Sequence, residues 1–374
     1  MNQDIYSRLS KHLDNLPAGY PATESGVEIR ILQRLFSPDE AALAIHLTLL
    51  PEEARVVARR ANLAVDEVAQ RLAEMEQKGL IFSKHSRSGS APKYQAAPFV
   101  VGIWEFQVSR LTPDLVRDFE EYLPNLLPIW EKTPQMRTIP IGESIDTRIE
   151  ILPYEQAETI VSSQDLIVVA PCICRQERQL MGEGCGKPLE TCLSFGSGAA
   201  FFQRNGLGRP IDQKEALAIL RQANEAGLVL QPGNSKQSGF ICCCCGDCCA
   251  ALRSLKQHPK PTNVLSSGFF AKVDKELCIS CSVCETRCQM KALDCNESVP
   301  VVNLDRCIGC GLCVPTCPSE AIILERKPAS EQPKIPANTA MTHIQLGKAR
   351  GKLNNYDLVM LALRSKVDRL LAKK

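Results

Sequence analysis

The sequence predicts a multidomain α+β protein with a helical tail, and three observations indicate this. Residues 26–83 place apolar side chains at helical spacing, and two short runs typical of strands follow them. Strand-like and helix-like runs alternate between residues 145 and 260. An internally repeated segment, residues 268–325, then precedes the tail. A length of 374 residues agrees with such a division, because it is long for one domain.

Residues 20–100 are predicted to form several helices followed by a β-hairpin. Apolar residues recur every three or four positions between Val65 and Met75, and Ser37 or Asp39 is suited to cap an earlier helix. The run LIFSKHSRSGSAPKYQAAPFV contains two strand-like stretches around a turn rich in serine and glycine. Helices followed by such a hairpin resemble a winged helix-turn-helix domain, although the resemblance lies in the pattern and not in particular residues.

The next two segments differ in their patterns. Residues 101–144 are punctuated by proline and are predicted to be a connecting segment that combines a helix with loops. Within residues 145–265, RIEILPY and DLIVVAPC are typical of strands, whereas YEQAETIVSS and GRPIDQKEALAILRQANEAGL are typical of helices. We therefore expect a small, cysteine-rich α/β or α+β domain in this part of the chain.

The chain contains 19 cysteines, an unusually large number. Four lie at 172–192, six at 242–249 and eight at 278–317, and Cys295 stands apart from these blocks. The first residues lack the apolar core of a secretory signal, and no run of 18 apolar residues is present, so a cytoplasmic location is expected. Thiols stay reduced in that compartment, and abundant cysteine there points to metal binding and not to disulfides.

The eight cysteines of residues 278–317 form two runs with identical spacing. Each run reads Cys-x2-Cys-x2-Cys-x3-Cys, and the second repeats the first at an offset of 29 residues. Gaps of two residues let a tightly looped backbone direct three sulfur atoms at three iron corners of one cubane. Over residues 268–325 the pattern resembles the two-[4Fe–4S] bacterial-type ferredoxin family. One departure is Gln289, which stands where the family usually has proline, whereas Pro318 is present in the second run.

The resemblance to ferredoxins implies two [4Fe–4S] clusters as cofactors and single-electron transfer as their chemistry. In such paired runs, the fourth cysteine of each run ligates the other cluster. The expected ligands are Cys278, Cys281, Cys284 and Cys317 for the first cluster, and Cys307, Cys310, Cys313 and Cys288 for the second. Cys295 lies outside both motifs and is expected to be a small buried residue and not a ligand.

Ten further cysteines are candidate ligands for a metal whose identity the sequence leaves open. They are Cys172, Cys174, Cys185, Cys192, Cys242, Cys243, Cys244, Cys245, Cys248 and Cys249. Neighbouring side chains of a strand point to opposite faces, so only a subset of residues 242–249 can reach one ion. A turn at Gly246–Asp247 would bring Cys245 and Cys248 together. A third Fe–S cluster, a structural zinc site and a redox-active thiol site are all compatible with this pattern.

Two weaker resemblances concern the same region. Adjacent cysteines give a partial likeness to the cysteine-rich domains of heterodisulfide reductases, but the long spacer between the ligands of those domains is missing here, so the likeness does not imply their chemistry. The whole layout resembles a group of bacterial and archaeal proteins described only as 4Fe–4S binding proteins, and this likeness implies no substrate. Arg175, beside the PCIC segment, is suited to tune a cluster or to bind an anion, but a surface salt bridge is the expectation.

These patterns favour an iron–sulfur electron-transport protein or a subunit of an oxidoreductase. Its two [4Fe–4S] clusters would relay single electrons to or from a further cysteine-ligated centre or a redox partner protein. The alternative is a redox- or iron–sulfur-sensing transcriptional regulator with a winged helix. The distribution of charge argues against DNA binding. Residues 20–100 carry ten basic and ten acidic side chains, and the candidate recognition helix, residues 66–77, has a net charge of −3. We therefore expect no nucleic-acid partner, and we expect the winged-helix-like domain to bind protein.

Residues 326–374 are predicted to be a linker followed by a basic amphipathic helix. They contain 11 Lys or Arg against three Asp or Glu, and apolar residues recur every three or four positions from Leu353 to Leu370. This tail is suited to docking on an acidic partner or, peripherally, on an anionic membrane surface. The net charge of the whole chain, +2, indicates no particular class of partner.

Overall fold

The computed structural model describes residues 2–86, 89–145, 150–265, 267–296 and 299–372. The chain divides into two compact units. The first consists of residues 1–132, 204–207 and 343–374, and the second of residues 133–203 and 208–342. Both units combine helices with antiparallel strands, so the predicted α+β class is confirmed at this level.

The first unit begins with helices and three short strands. Its helices before residue 133 are α1 Asn2–Asn15, α2 Val27–Leu35, α3 Pro38–Ala44, α4 Ala54–Ala61, α5 Val65–Gln77, α6 Pro113–Tyr122 and α7 Leu127–Lys132. The strands are β1 Glu52–Glu53, β2 Phe82–Lys84 and β3 Lys93–Gln95, which pair antiparallel in the order β1-β3-β2. Ser37 caps α3, since its hydroxyl accepts from the Glu40 N–H while the Glu40 carboxylate accepts from the Ser37 N–H.

An aromatic core holds the first unit together. Trp104 stacks on Phe119 with the ring centroids 3.8 Å apart, and Phe99 packs edge-on against Tyr20 and Tyr122. Buried rings contribute both a large apolar area and a directional attraction between rings. Three of these five rings come from residues 101–144, the segment predicted as a connection, so its first part, up to residue 132, belongs to the first unit.

A five-stranded sheet forms the centre of the second unit. Its strands are β4 Ile167–Pro171, β5 Glu190–Phe195, β6 Arg209–Ile211, β7 Val229–Pro232 and β8 Phe240–Cys244. They are ordered β6-β4-β5-β8-β7. The helices of this region are α8 Ala157–Ser162, α9 Ile173–Leu180, α10 Gly196–Arg204, α11 Gln213–Glu225 and α12 Ala250–Gln257.

Of the two arrangements predicted for residues 145–265, α/β and α+β, the structure has the second, and the α/β alternative was wrong. Every pair of neighbouring strands in this sheet is antiparallel, so the arrangement is α+β. The reason lies between β4 and β5. Helix α9 and the loop after it return the chain to the end of the sheet at which β4 finishes, and β5 then runs back beside β4.

The strand predicted for RIEILPY is also corrected where the structure describes it. Residues 153–155 form a 3₁₀ turn, and the last residues of the motif take part in it; residues 148–149 lie outside the described ranges. Pro153 has no N–H to give to a strand ladder. The Glu155 carboxylate instead accepts from the Leu152 N–H at 3.0 Å and pairs with Arg326.

Residues 268–325 form two small antiparallel ladders joined by the cysteine loops. Strand β9, Phe269–Val273, pairs with β12, Ile322–Arg326, and β10, Leu293–Asp294, pairs with β11, Val301–Val302. Helix α13 spans Val283–Arg287. Each ladder joins a strand of the first sequence repeat to a strand of the second, so the two halves of the repeat are intertwined.

The predicted tail helix is present as α15, Asn355–Leu371, after α14, Thr339–Ala349. The polar face of α15 packs on β1 and α4, which belong to the same unit. The Ser365 hydroxyl donates to the Glu52 carboxylate at 2.5 Å, and Arg60 bonds to Glu52 at 2.6 and 2.7 Å and to Asp368 at 2.7 Å. Glu52 is only 1% exposed. Burial raises the pKa of Glu52, but hydrogen bonds from Arg60 and Ser365 outweigh this and hold it below its usual value.

The apolar face of α15 points the other way, into solvent. Its exposed side chains are Tyr356, Val359, Leu363, Val367, Leu370 and Leu371, here called the α15 stripe. Among the described residues, no helix combines the length and the apolar character needed to cross a bilayer.

The ion pair between Glu52 and Arg60 gives a test of how α15 is held. We expect Glu52→Ala to lower the free energy of unfolding by about 3 kcal/mol, because it leaves the Arg60 charge partly buried without its main partner. Urea unfolding measures this change, with Glu67→Ala as the control, since Glu67 forms only an exposed pair with Arg71. Equal effects of the two substitutions would contradict a buried anchor at Glu52.

Candidate metal centres

Two cavities within residues 268–325 are each lined by four cysteines. One is lined by Cys278, Cys281, Cys284 and Cys317, and the other by Cys288, Cys307, Cys310 and Cys313. In each cavity, three cysteines come from one sequence run and the fourth comes from the other run. Thiolates in groups of four are the usual ligands of cubane clusters, so the donor set fits a [4Fe–4S] cluster in each cavity.

Left-handed backbone shapes both cysteine loops. In the second run, Gly309 and Gly311 have φ values of +64° and +75°. A Cβ at Gly309 would lie 2.2 Å from the Phe269 carbonyl oxygen, and one at Gly311 would lie 2.1 Å from the Ser144 hydroxyl. The repeat places Ser280 and Ser282 at the equivalent positions of the first run, and both also have positive φ. The first loop therefore adopts the same turn at an energetic cost that glycine avoids.

Backbone N–H groups point at several of these sulfur atoms. Ala271 donates to Cys307 Sγ at 3.4 Å, Ala292 to Cys288 Sγ at 3.2 Å, and Ser280 to Cys278 Sγ at 3.4 Å. Such N–H···S bonds stabilise thiolates and tune the potential of a bound cluster. Burial raises the pKa of Cys310 to about 12, so a metal that binds there displaces a proton.

The structure gives Cys295 a closer relation to the first cavity than the sequence suggested. Its side chain is half-buried, and its Sγ lies 3.9 Å from Cys284 Sγ. Cys295 packs against the core of residues 268–325, as a small apolar residue would, and it does not line either cavity.

Strand alternation sorts the cysteines of β8. Cys242 pairs in register with Cys192 of β5, so their side chains share one face of the sheet. Cys244 lies two residues on and points to the same face. Cys243 points to the opposite face and is 1% exposed. The structure thus separates Cys243 from the other candidate ligands.

Six thiols, three of them on that face, form a continuous array. Each interacts with the next through its side chain in the order Cys172, Cys174, Cys249, Cys244, Cys242, Cys192. We call this set the six-thiol array.

Helix N-termini supply positive charge to the six-thiol array. Cys172 is the N-cap of α9 and Cys249 is the N-cap of α12. The thiols of Cys174 and Cys244 and the N–H groups at the start of α12 hold the pKa of Cys249 well below its usual range. A helix N-terminus stabilises an anion by its dipole and its unpaired N–H groups, so both N-caps favour thiolates.

Three other cysteines form a compact group, here called the cysteine trio: Cys185, Cys245 and Cys248. Their Sγ atoms all lie within 4.8 Å of one another, and those of Cys185 and Cys245 are 3.8 Å apart. The turn at residues 246–248 brings Cys245 and Cys248 together. Asp247 in this turn faces outward, with its carboxylate 3.3 Å from Lys187 Nζ and 3.8 Å from Lys256 Nζ.

Arg175 is not the surface residue that the sequence led us to expect. It is 4% exposed, and its guanidinium donates to the Cys243 carbonyl at 2.9 and 3.1 Å and to the Thr191 hydroxyl. From there it interacts electrostatically with Cys172, Cys244 and Cys245. A buried guanidinium among thiols offsets the charge of thiolate ligands, and its proximity to Cys244 and Cys245 was invisible in the sequence.

Gln289 joins the two cysteine-rich regions. Its side-chain oxygen accepts from the Gly246 N–H at 2.7 Å, next to the cysteine trio, and Gln289 itself follows Cys288 and lines the second cavity. Arg306 strengthens the junction by donating to the carbonyls of Lys256 and His258 at 2.9 and 3.0 Å. The departure from proline at residue 289 was the available signal, since proline could not make this hydrogen bond.

The cysteine loops supply a test of the second cavity. We expect Gly311→Ala to lower the iron content of the protein, because the new Cβ would collide with Ser144 and distort the loop that lines the second cavity. Iron analysis of anaerobically purified protein measures this. Gly206→Ala is the control, since Gly206 also has positive φ but has open space around it. Full iron content in the Gly311 variant would contradict the geometry described for this loop.

One of three comparisons with known proteins found a match. The model of the 4Fe-4S binding domain family (Fer4) matches residues 300–323, which include Cys307, Cys310, Cys313 and Cys317. Neither the curated proteins nor the solved structures yielded a match. Residues 300–323 therefore carry a 4Fe–4S binding domain, and electron transfer is the function that such a domain suggests.

Proposed function

We propose that this chain is an iron–sulfur electron-transfer protein or a subunit of an oxidoreductase. In this proposal, the eight cysteines of residues 278–317 hold two [4Fe–4S] clusters, which accept and release one electron each when bound. The observation that carries the proposal is the pair of four-cysteine cavities that exchange their fourth cysteine. Zinc knuckles would not require such an exchange between the two runs.

The surroundings of the first cavity support its role as the point of contact with a redox partner. Cys281 is exposed, and Ile279, which lines the same cavity, is 63% exposed. Val283 also lines the cavity with an exposed side chain, and Leu277 is exposed beside Cys278. An apolar rim around an accessible cluster suits the small, transient interface of an electron-transfer complex.

The second cavity is placed to pass electrons onward. Its cysteines Cys307 and Cys313 are buried, and Gln289 links it to the turn that carries Cys245 and Cys248. We therefore infer the order partner protein, first cavity, second cavity, cysteines of residues 172–249. An electron donated by a reduced partner would travel inward along this order, and the reverse direction would reduce an oxidised partner.

Replacing an exposed apolar residue at the first cavity tests this order. We expect wild-type holoprotein to take up at least two electrons per chain from dithionite, one for each cluster. Ile279→Asp should take up the same number but accept electrons at least ~10-fold more slowly from a protein donor such as reduced flavodoxin, because a charge replaces the docking surface. Ile323→Asp, on exposed strand β12, is the control. Uptake of fewer than two electrons per chain by the wild type would overturn the proposal. Equal rates of electron acceptance by Ile279→Asp and Ile323→Asp would contradict a docking site at the first cavity.

We infer that the winged-helix-like domain binds protein and not DNA. The order of helices α2–α5 and strands β1–β3 agrees with a winged helix, and residues 66–77 fall in α5. The single basic residue among them, Arg71, is paired with Glu67 at 2.8 Å and with Asp39 at 3.8 Å. This cation is therefore already neutralised, while the acidic residues of α5 would repel phosphates.

A gel-shift assay checks this inference. We expect purified holoprotein to leave a labelled fragment of its own promoter region unshifted at 0.15 M salt, at protein concentrations up to about 1 μM. A tight, salt-sensitive shift would instead support the transcriptional regulator.

We also propose that the α15 stripe docks the protein on an anionic membrane surface. With 3.6 residues per turn, Arg364 and Lys366 fall on the two edges of the stripe, so cations border an exposed apolar face. A helix that lies in the interface of an anionic bilayer uses this arrangement, with apolar side chains inserted and cations at the headgroups.

Cosedimentation with vesicles tests the membrane proposal. We expect the wild-type protein to sediment with vesicles that contain phosphatidylserine and not with neutral vesicles, and L363D/V367D to lose this binding. Leu63→Asp, which alters another exposed apolar residue, should bind as the wild type does. Absence of wild-type binding, or unchanged binding of L363D/V367D, would contradict the proposal.

A further inference from the structure

We propose that the ten cysteines of residues 172–249 hold two separate metal centres. In this inference, the cysteine trio binds one divalent ion of the zinc class, and the six-thiol array holds an iron–sulfur cluster. Cys243 belongs to neither centre. The inference rests on the proposed function, since it specifies the centre with which the two [4Fe–4S] clusters exchange electrons.

The spacing of the cysteine trio fits a single ion. Zinc binds thiolate sulfur at about 2.3 Å, and a tetrahedron with such bonds has sulfur atoms about 3.8 Å apart. The distance between Cys185 Sγ and Cys245 Sγ is 3.8 Å, and Cys248 Sγ lies within 4.8 Å of both. These three cysteines can therefore converge on one ion with little rearrangement.

The cysteines of the two cavities provide an internal comparison. In a cubane each thiolate binds a different iron, so the ligand sulfurs lie further apart than those around one ion. Accordingly, the eight described cysteines at 278–317 include no compact group of three. The six-thiol array includes none either, and its thiols interact in a row, one with the next. The array therefore does not converge on one point as the trio does, which suits a cluster of several iron atoms better than a single ion.

The trio also lacks a fourth protein ligand. No further Cys, His, Asp or Glu atom in the described part of the chain joins the three sulfurs within the same distance. The nearest acidic residue in sequence, Asp247, is engaged with Lys187 and Lys256 at the surface. A tetrahedral ion held there would keep one position for a water molecule or another small ligand, as zinc ions do in reactive sites.

Charge and sheet geometry support the division. Arg175 lies beside members of both groups, namely Cys172 and Cys244 of the array and Cys245 of the trio. Two helix N-termini serve the array alone, at Cys172 and Cys249. Cys243 points to the opposite face of β8, and only its carbonyl takes part, as an acceptor for Arg175. Each centre thus has compensation for the negative charge of its thiolates.

Metal analysis of the full-length holoprotein, purified anaerobically, tests the inference. The wild type should contain about one zinc and about twelve iron atoms per chain. Cys248→Ser should lose the zinc and keep the iron. C242S/C249S should lose about four iron atoms and keep the zinc; a double variant is needed because six thiols exceed the four that a cubane uses. Cys243→Ala should match the wild type in both metals.

Two results would overturn the division: joint loss of zinc and iron in Cys248→Ser, or loss of either metal in Cys243→Ala. X-ray absorption at the zinc edge of the wild type provides a readout that needs no variant. Three sulfur atoms and one lighter atom are expected around zinc, and absence of zinc or a shell of four sulfur atoms would contradict the open site. Cys310→Ser tests the proposed function separately from the division into two centres. Unchanged iron content in this variant would contradict clusters at residues 278–317, but it would not bear on zinc binding by the cysteine trio.

Discussion

Placing many thiolates inside a small unit is the constraint on which the rest of the second unit depends. A metal binds the thiolate, and a buried charge without compensation costs several kcal/mol. A buried cation, two helix N-termini and backbone N–H groups offset this cost. Arg175 lies among the cysteines of residues 172–249, α9 and α12 begin at Cys172 and Cys249, and backbone N–H groups point at the sulfur atoms of the cavities. Sheet order, helix starts and loop conformation all serve this end.

The same constraint explains why the two cysteine-rich regions lie in one unit. Cys307 and Cys313 of the second cavity are buried, whereas Cys281 and Ile279 of the first are exposed. Gln289 and Arg306 connect the segment around the second cavity to Gly246 and to the end of α12. The proposed electron path, from an exposed cysteine to buried ones, has a physical basis in this difference, since exposure and hydrogen bonds set cluster potentials. Residues 172–249 are where chemistry specific to this protein should be sought.

Much of this could be predicted from the sequence, because spacing carries direct geometric meaning. The paired cysteine runs grouped the eight cysteines into the same two sets of four that line the two cavities, and their role as ligands stays a prediction. Strand alternation predicted that residues 242–249 would divide, and Ser37 was a recognisable helix cap. Each of these depends on neighbours within a few residues or on an internal repeat.

Features that depend on tertiary contacts were missed. The direction of β5 relative to β4 follows from how a loop packs. RIEILPY has the pattern of a strand, but Glu155, directly after it, pairs with the distant Arg326, and a 3₁₀ turn forms in place of a strand at residues 153–155. Arg175 was expected at the surface, since a charged residue is rarely buried without partners that only the fold supplies. The outward direction of the α15 stripe likewise follows from the distant contact of Ser365 with Glu52.

Electron paramagnetic resonance of the fully reduced holoprotein tests the central claim most directly. Two [4Fe–4S] clusters that share one small module and exchange ligands between runs should each carry one unpaired electron after reduction. We expect about two spins per chain, with spectra broadened by magnetic interaction between neighbouring clusters. A single unbroadened signal of about one spin, or no signal from protein that contains zinc in place of iron, would contradict electron transfer through two adjacent clusters.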